Sequence, residues 1–320
     1  MGECFSLSQS SYGKNMEEKM KVIGIDIGGT AVKYGLLTEK GDILEGGEFP
    51  TEGKKGVDNL FINICGVIDK YLEKDILGIA VSGTGQIDGS IGKVIGGSPI
   101  IPGWIGTNLV EKLEKKYNLP AVLENDVNCA ALGEKWLGAG KDAKDFICLT
   151  IGTGIGGGII LNDEIFRGDS CVAAEFGHIQ IVKNGIECMC GKKGCYERYA
   201  STTALVNMVK EKTGKTLNGK EIFELEKAGD KEIAKIVETW IDYLTDGLST
   251  LAYIFNPSLI VLGGGVTKQG DYLLNRIKES LDKKIGENYR KNLSVRFAQL
   301  GNNAGMLGAE YLLLKKIGKL

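Results

Sequence analysis

Apolar residues recur at two periods along this chain, and the switches between them mark its elements. Lys21 to Asp26 (KVIGID) is a short run of β-formers that enters the glycine turn Ile27-Gly28-Gly29-Thr30. Val32 to Leu37 predicts the next strand, and a turn at Glu39-Lys40-Gly41-Asp42 leads to a third around Ile43 to Phe49. Helical spacing takes over from Val57 to Leu72, and Ile76 to Val81 then reads as a buried strand. Strand, helix, strand implies parallel pairing through a crossover. A helix over Asn108 to Tyr117 and a strand over Ala121 to Leu123 follow. Another helix, Val127 to Leu137, begins just after Glu124-Asn125-Asp126.

After Gly138-Ala139-Gly140 the plan restarts. Phe146 to Ile151 (FICLTI) enters Gly152-Thr153-Gly154-Ile155-Gly156-Gly157-Gly158, followed by strand patterns at Ile159 to Leu161 and Glu164 to Phe166. Strand, glycine turn, strand, turn and strand have now occurred twice, which predicts an internal duplication and two related domains facing each other. Downstream, helical patterns at Thr202 to Lys212, Glu221 to Lys227 and Asp230 to Ile254 precede a buried strand, Ser258 to Leu262, that ends in Gly263-Gly264-Gly265. A helix from Tyr272 to Ile285, a strand from Val295 to Leu300 and a helix from Ala304 to Lys316 complete the pattern. The expected division is an N-terminal domain of residues 21–126 plus 304–320 and a C-terminal domain of 127–303, with a hinge near Asp126 to Gly140.

Length and composition agree with this plan. A chain of 320 residues suits two domains, and 43% hydrophobic with 25% charged residues is a soluble globular composition. A net charge of −2 gives no electrostatic case for nucleic acid or an anionic membrane, and no run of about 18 apolar residues is present to span a bilayer. Of the eight cysteines, Cys65, Cys129 and Cys148 have apolar neighbours and three more cluster near position 190, which predicts a reducing cytoplasm rather than a disulfide framework. Residues 1–20 carry neither a secretory core nor a transit pattern. Gly2 and Ser6 match the loose M-G-x-x-x-S acylation pattern, but a disordered extension is the simpler expectation.

The chemistry concentrates in a few stretches. Glu175 to Glu197 holds the only histidine, His178, followed by Cys188, Cys190 and Cys195, an H-x9-C-x-C-x4-C order that can close a tetrahedron around Zn²⁺ if the loop folds back on a strand carrying the histidine. The plain alternative is a satisfied core histidine with small apolar cysteines. The glycine turns at 28–29, 152–158 and 263–265 each follow a strand, where backbone N–H groups can be aimed at phosphate oxygens. None is a P-loop or a dinucleotide fingerprint. Asp26 stands beside the first turn, where it would hold Mg²⁺ or simply cap the turn, and Thr30 and Lys33 are within reach of phosphate. Asp126 is placed either as a helix N-cap or as a general base for a hydroxyl attacking phosphorus. Trp104, Tyr117, Tyr196 and Tyr199 are candidates to stack on a sugar face, with core packing as their ordinary role.

Asp26-Ile-Gly-Gly-Thr30, Glu124-Asn-Asp126, Leu149 to Gly158, Glu175-Phe-Gly-His178 and Cys188-x-Cys-Gly-x-x-Gly-Cys-x-Glu197 together resemble, in order, the motifs of the ROK family of sugar kinases and repressors, from about Lys21 onward. The resemblance implies an actin-like, hexokinase-like α/β fold of two domains closing over ATP and a sugar. It implies Asp126 as catalytic base, and Asn108, Asn125, Asp126, Glu175, His178 and Glu197 as sugar ligands with Gly85 nearby. It further implies Asp26, Gly28, Gly29, Thr30, Thr153, Gly154 and Gly263 to Gly265 as nucleotide contacts. His178 would then serve both zinc and sugar, one ring nitrogen each. The residues before Lys21 are too few for the winged helix of the family's repressors, which points to the kinase branch.

One position departs from the family's glucokinases. Their glycine before Glu175 is Ala174 here, which is similar to the N-acetylmannosamine kinase domain of animal sialic-acid enzymes. The opening Asp26 to Leu36 is instead similar to a bacterial subgroup that includes β-glucoside kinases. The expectation is therefore a cytoplasmic ATP- and Mg²⁺-dependent kinase with structural Zn²⁺, a homodimer or homotetramer, acting on the 6-hydroxyl of a hexose or N-acylhexosamine. Glucose and N-acetylmannosamine lead. A β-glucoside kinase or a non-catalytic sugar-responsive regulator is the alternative.

Overall fold

The structure is a computed structural model that describes residues 20–72, 75–97 and 100–320. Met20 apart, the expected extension and the acylation pattern lie outside the described residues.

The first half contains β1 (Lys21–Ile27), β2 (Ala31–Thr38), β3 (Ile43–Pro50), α1 (Gly56–Tyr71), β4 (Ile76–Gly83), β5 (Gln86–Asp88), β6 (Lys93–Gly96), α2 (Leu109–Tyr117), β7 (Ala121–Asn125) and α3 (Asp126–Leu137). The second half contains β8 (Phe146–Ile151), β9 (Ile155–Leu161), β10 (Glu164–Ile165), α4 (Glu197–Ala200), α5 (Thr202–Thr213), α6 (Gly219–Lys227), α7 (Lys231–Phe255), β11 (Leu259–Gly263), α8 (Asp271–Asp282), α9 (Glu287–Arg290), β12 (Ser294–Phe297) and α10 (Ala304–Lys316).

The two main sheets follow one plan. Their orders are β3-β2-β1-β4-β7 and β10-β9-β8-β11-β12. In each, three antiparallel strands form a meander, and two further strands join in parallel through helical crossovers. The repeated strand–glycine turn–strand pattern is thus a duplicated sheet. The apolar face of each sheet buries its own helices: α1 and α2 supply Leu60, Ile64, Ile68 and Leu113 to the first core, and α5 to α8 supply Leu205, Phe223, Trp240 and Ile277 to the second.

Between the sheets run α3 and α10. Helix α10, the last of the second half, packs Ala309 and Leu313 against Val22 and Ala80 of the first sheet. Helix α3, the last of the first half, packs Ala131 and Leu132 against Phe146 and Ile160 of the second. The halves therefore exchange helices. The helices touch backbone to backbone at Gly308, where a Cβ would stand 1.7 Å from the Cys129 carbonyl oxygen. The stretch expected as a hinge is formed largely by α3. Buried Glu134 fixes its end by accepting N–H bonds from Ala139 (2.7 Å), Gln299 (2.8 Å) and Leu300 (2.8 Å).

Among the described residues no helix is long and apolar enough to cross a membrane.

Candidate active site

Strand β7 delivers the central carboxylate. Its last residue, Asn125, is the N-cap of α3: its Oδ1 accepts the N–H groups of Val127 (2.9 Å) and Asn128 (3.1 Å). Its Nδ2 donates to Gly85 O (2.9 Å) and to Asp126 Oδ1 (3.0 Å). All four hydrogen-bonding positions of this amide are engaged. The capping role considered for Asp126 thus belongs to Asn125, and Asp126 stands at the first helical position. Asp126 is enclosed by protein but keeps accessible surface toward a cavity, so it is half-buried by surface and strongly desolvated. That desolvation, and secondly the charge of Asp26, push its carboxyl up to about 6.

Asp26 sits at the end of β1, opposite Ser82 of β4. Ser82 Oγ donates to Asp26 Oδ1 at 2.7 Å. Burial raises the Asp26 pKa, against the opposing effects of Ser82 and of Lys33. Asp26 on β1 and Asp126 at the start of α3 are therefore near enough for the charge of one to act on the other, although β4 separates β1 from β7.

The cavity beside Asp126 encloses about 560 Å³, within the range of small-ligand sites. Gly85, Asn125, Asp126, Glu175 and His178 of the expected sugar set line it, joined by Gln86, Gly156 and Gly157. Asn108 does not. It caps α2 by accepting Glu111 N–H (3.1 Å) and lines a separate, larger cavity of about 830 Å³. There Lys316 pairs with Glu114 (2.8 Å) and Lys315 with Glu164, and the cavity holds none of the other expected residues. Trp104, Tyr196 and Tyr199 are buried in the core, so they offer no face to a sugar.

His178 lies on a short 3₁₀ turn, Phe176–His178, rather than on a strand. The cysteine loop still folds back to it. The ligand atoms of His178, Cys188, Cys190 and Cys195 all lie within 4.8 Å of one another. His178 Nδ1 is 3.7 Å from Cys188 Sγ, and Cys190 Sγ is 3.6 Å from Cys195 Sγ. Tetrahedral Zn–S bonds of ~2.3 Å would put ligand atoms about 3.8 Å apart, so the four fit a closed metal site. Nδ1 faces the cysteines, and the residue also lines the cavity beside Asp126. Glu197 turns toward the same cluster, its Oε1 3.1 Å from Cys188 Sγ. Its Oε2 packs on Gly154, where a Cβ would come within 2.4 Å. One carboxylate therefore touches both the cysteine cluster and a glycine turn.

The glycine turns occupy strand ends. Gly28 and Gly29, with exposed Thr30, close the β1–β2 hairpin, and Lys33 is half-buried on β2. Gly152 to Gly154, with exposed Thr153, follow β8, and Gly263 to Gly265 follow the neighbouring parallel strand β11. The C-terminal ends of parallel strands are the usual ligand edge of such sheets.

Residues 22–316 match the ROK family. The chain is 36% identical over 312 residues to a glucokinase of Halalkalibacterium halodurans, covering 91% of this chain and 94% of that protein. It is 36% identical over 302 residues to a beta-glucoside kinase of Listeria monocytogenes, covering 93% and 98%. A solved ROK family glucokinase from Streptomyces griseus, in complex with glucose and AMPPNP, shares the fold at a TM-score of 0.77 and 36% identity over 91% of this chain and 98% of that one. Two duplicated actin-like α/β domains around such a cleft define an ATP-dependent sugar kinase. The chain belongs to the ROK family.

Proposed function

We propose that this kinase transfers the γ-phosphoryl group of ATP to the 6-hydroxyl of a hexose or N-acylhexosamine, with glucose and N-acetylmannosamine as the leading acceptors. The observation that carries this reading is Asp126, a desolvated carboxylate beside Asp26 on the wall of a sugar-sized cavity. Asp126 accepts the hydroxyl proton as that oxygen bonds to phosphorus and the bond to ADP breaks. Asn125 holds Asp126 in place through its 3.0 Å bond. Glu175 and His178 accept and donate to the other ring hydroxyls. Glu197 serves from behind, where it contacts the cysteine cluster. The backbone N–H groups of the 28–29, 152–154 and 263–265 turns, with Thr30, Lys33 and Thr153, receive the phosphates.

Mg²⁺, held by Asp26 and the nucleotide, supplies neutralisation of phosphate charge. Zn²⁺, held by His178, Cys188, Cys190 and Cys195, fixes the His178 ring and the loop. None of the described cysteines forms a disulfide, which suits a cytoplasmic location.

Activity toward a β-glucoside is the second reading, favoured by equal identity to the Listeria kinase. Purified protein with ATP and Mg²⁺ is expected to release ADP with at least one of glucose, N-acetylmannosamine, N-acetylglucosamine, mannose and a β-glucoside, and to yield the 6-phosphate. ADP release with none of them refutes the proposal in favour of a sugar-responsive regulator.

A further inference from the structure

The two halves meet along a seam beside the cleft, where β5 lies against residues 167–175 of the second half. Two contacts run in opposite order along β5 and this segment, and a third ties the segment to β7. Gln86 Nε2 donates to Glu175 Oε1 at 3.2 Å, Cys171 Sγ lies 3.5 Å from Asp88 Oδ1, and Arg167 Nε donates to Glu124 Oε2 at 2.6 Å.

The ends of the seam differ. Gln86–Glu175 is open to solvent, whereas the Glu124 side chain has no accessible surface and that of Arg167 keeps 27%. Glu124 stands on β7, two residues before Asp126. Its other oxygen, Oε1, accepts Asn125 N–H (2.9 Å) and Asn128 Nδ2 (3.0 Å), so both of its oxygens are engaged. Gly89, which follows β5, leaves room for the pair: a Cβ there would sit 2.3 Å from Glu124 Oε2 and 3.1 Å from Arg167 Nε. On the other side, Arg167 O accepts Ala173 N–H at 3.0 Å and so shapes the loop that ends in Ala174-Glu175. A buried, charge-assisted bond is far harder to part than an exposed amide–carboxylate contact. One end of the seam is fixed, and the other is free to yield.

We propose that Glu124 and Arg167 are positioning residues for the sugar. The pair pins the 167–175 segment to the strand that presents Asp126, so that Glu175 from one domain and Asp126 from the other hold a single ring between them. The Gln86–Glu175 end opens to admit that ring. This rests on the sugar-site assignment of Asp126 and Glu175.

Steady-state kinetics on Glu124→Gln, Arg167→Met, Arg167→Lys and the Glu124→Gln/Arg167→Met double variant test it, with thermal melting in parallel and the best acceptor sugar as substrate. Each single replacement that removes a partner is expected to raise sugar KM on the order of tenfold while ATP KM holds, and Arg167→Lys to fall between. The double variant should be no worse than the worse single. Should the singles fail to fold, Arg167→Lys and the double variant, which leaves no lone buried charge, give the same reading. Sugar KM within about twofold of wild type in a folded variant, additive effects, or equal rises in both KM values overturn the proposal. Asp126→Asn separates the two readings: unchanged turnover there refutes the base, while the sugar KM data still judge the pair.

Discussion

Burial and the neighbouring Asp26 charge hold the Asp126 carboxyl at about 6, so its two protonation states exchange just below neutrality. A general base works only when ionised. Sugar turnover, as kcat/KM, is therefore expected to fall as pH drops through about 6 and to level off above it; a profile flat from pH 5 to 8 contradicts the assignment. Neither that shift nor the fixing of Asp126 by Asn125 is legible in the sequence, where capping and catalysis are both open for Asp126 and only its place near the expected hinge favours the base. Which residue caps depends on where β7 stops, and it stops beyond the end of its apolar run. Asn108 shows the same limit, since an Asn before an apolar run is also an ordinary cap. Ala174 is a different case. It adopts φ +68°, a left-handed backbone conformation that suits glycine, so the departure from the glucokinase pattern is first a backbone matter. Ala174→Gly is expected to raise stability by about 0.5–1 kcal/mol, read as an upward shift of Tm; a lower Tm would show that the methyl's packing outweighs the strain.

Helices and strands are largely legible, because α7 and α10 carry long apolar stripes and β1, β8 and β11 are rich in β-formers and lead into glycine turns. The β5–β6 hairpin is not. Its strands span only Gln86–Asp88 and Lys93–Gly96, too short for two-residue periodicity to stand out, although Asp88-Gly-Ser between them is a turn signal. Without that hairpin, Gln86 and the seam stay hidden. Glu310 on α10 is hidden as well, since it falls on the buried face of a helix that is apolar around it until Lys315 and Lys316. Neither of its oxygens has a hydrogen-bond partner among the described residues, and burial raises its pKa from 4.5 to about 8. The folded state thus keeps a proton that the unfolded chain loses near 4.5, and stability declines as pH rises from there through about 8. Glu310→Gln, a neutral mimic, should remove most of this decline. The gain at pH 9 is expected to reach a few kcal/mol, at about 1.4 for each tenfold displacement of the proton equilibrium. Equal denaturation midpoints for both proteins at pH 9 would refute it.

The duplicated architecture is legible in the order of residues alone, because a repeated strand, glycine turn and strand survives divergence of the residues in between. The expected division already gives the segment of α10 to the first domain and that of α3 to the second, although helix periodicity alone says which face is apolar and not which sheet receives it. The metal loop is legible as a ligand set, but its contact with Gly154 through Glu197 emerges only in three dimensions. If Zn²⁺ holds this loop, a strong chelator is expected to lower Tm and weaken sugar affinity together while leaving nucleotide affinity nearly unchanged; unchanged Tm and sugar affinity would count against a metal there. The most direct test of the whole account is Asp126→Asn, with turnover and sugar binding measured on the same folded protein. The account predicts turnover lower by ~10²–10⁴-fold with sugar Kd altered only a few-fold, and near-wild-type turnover would contradict it.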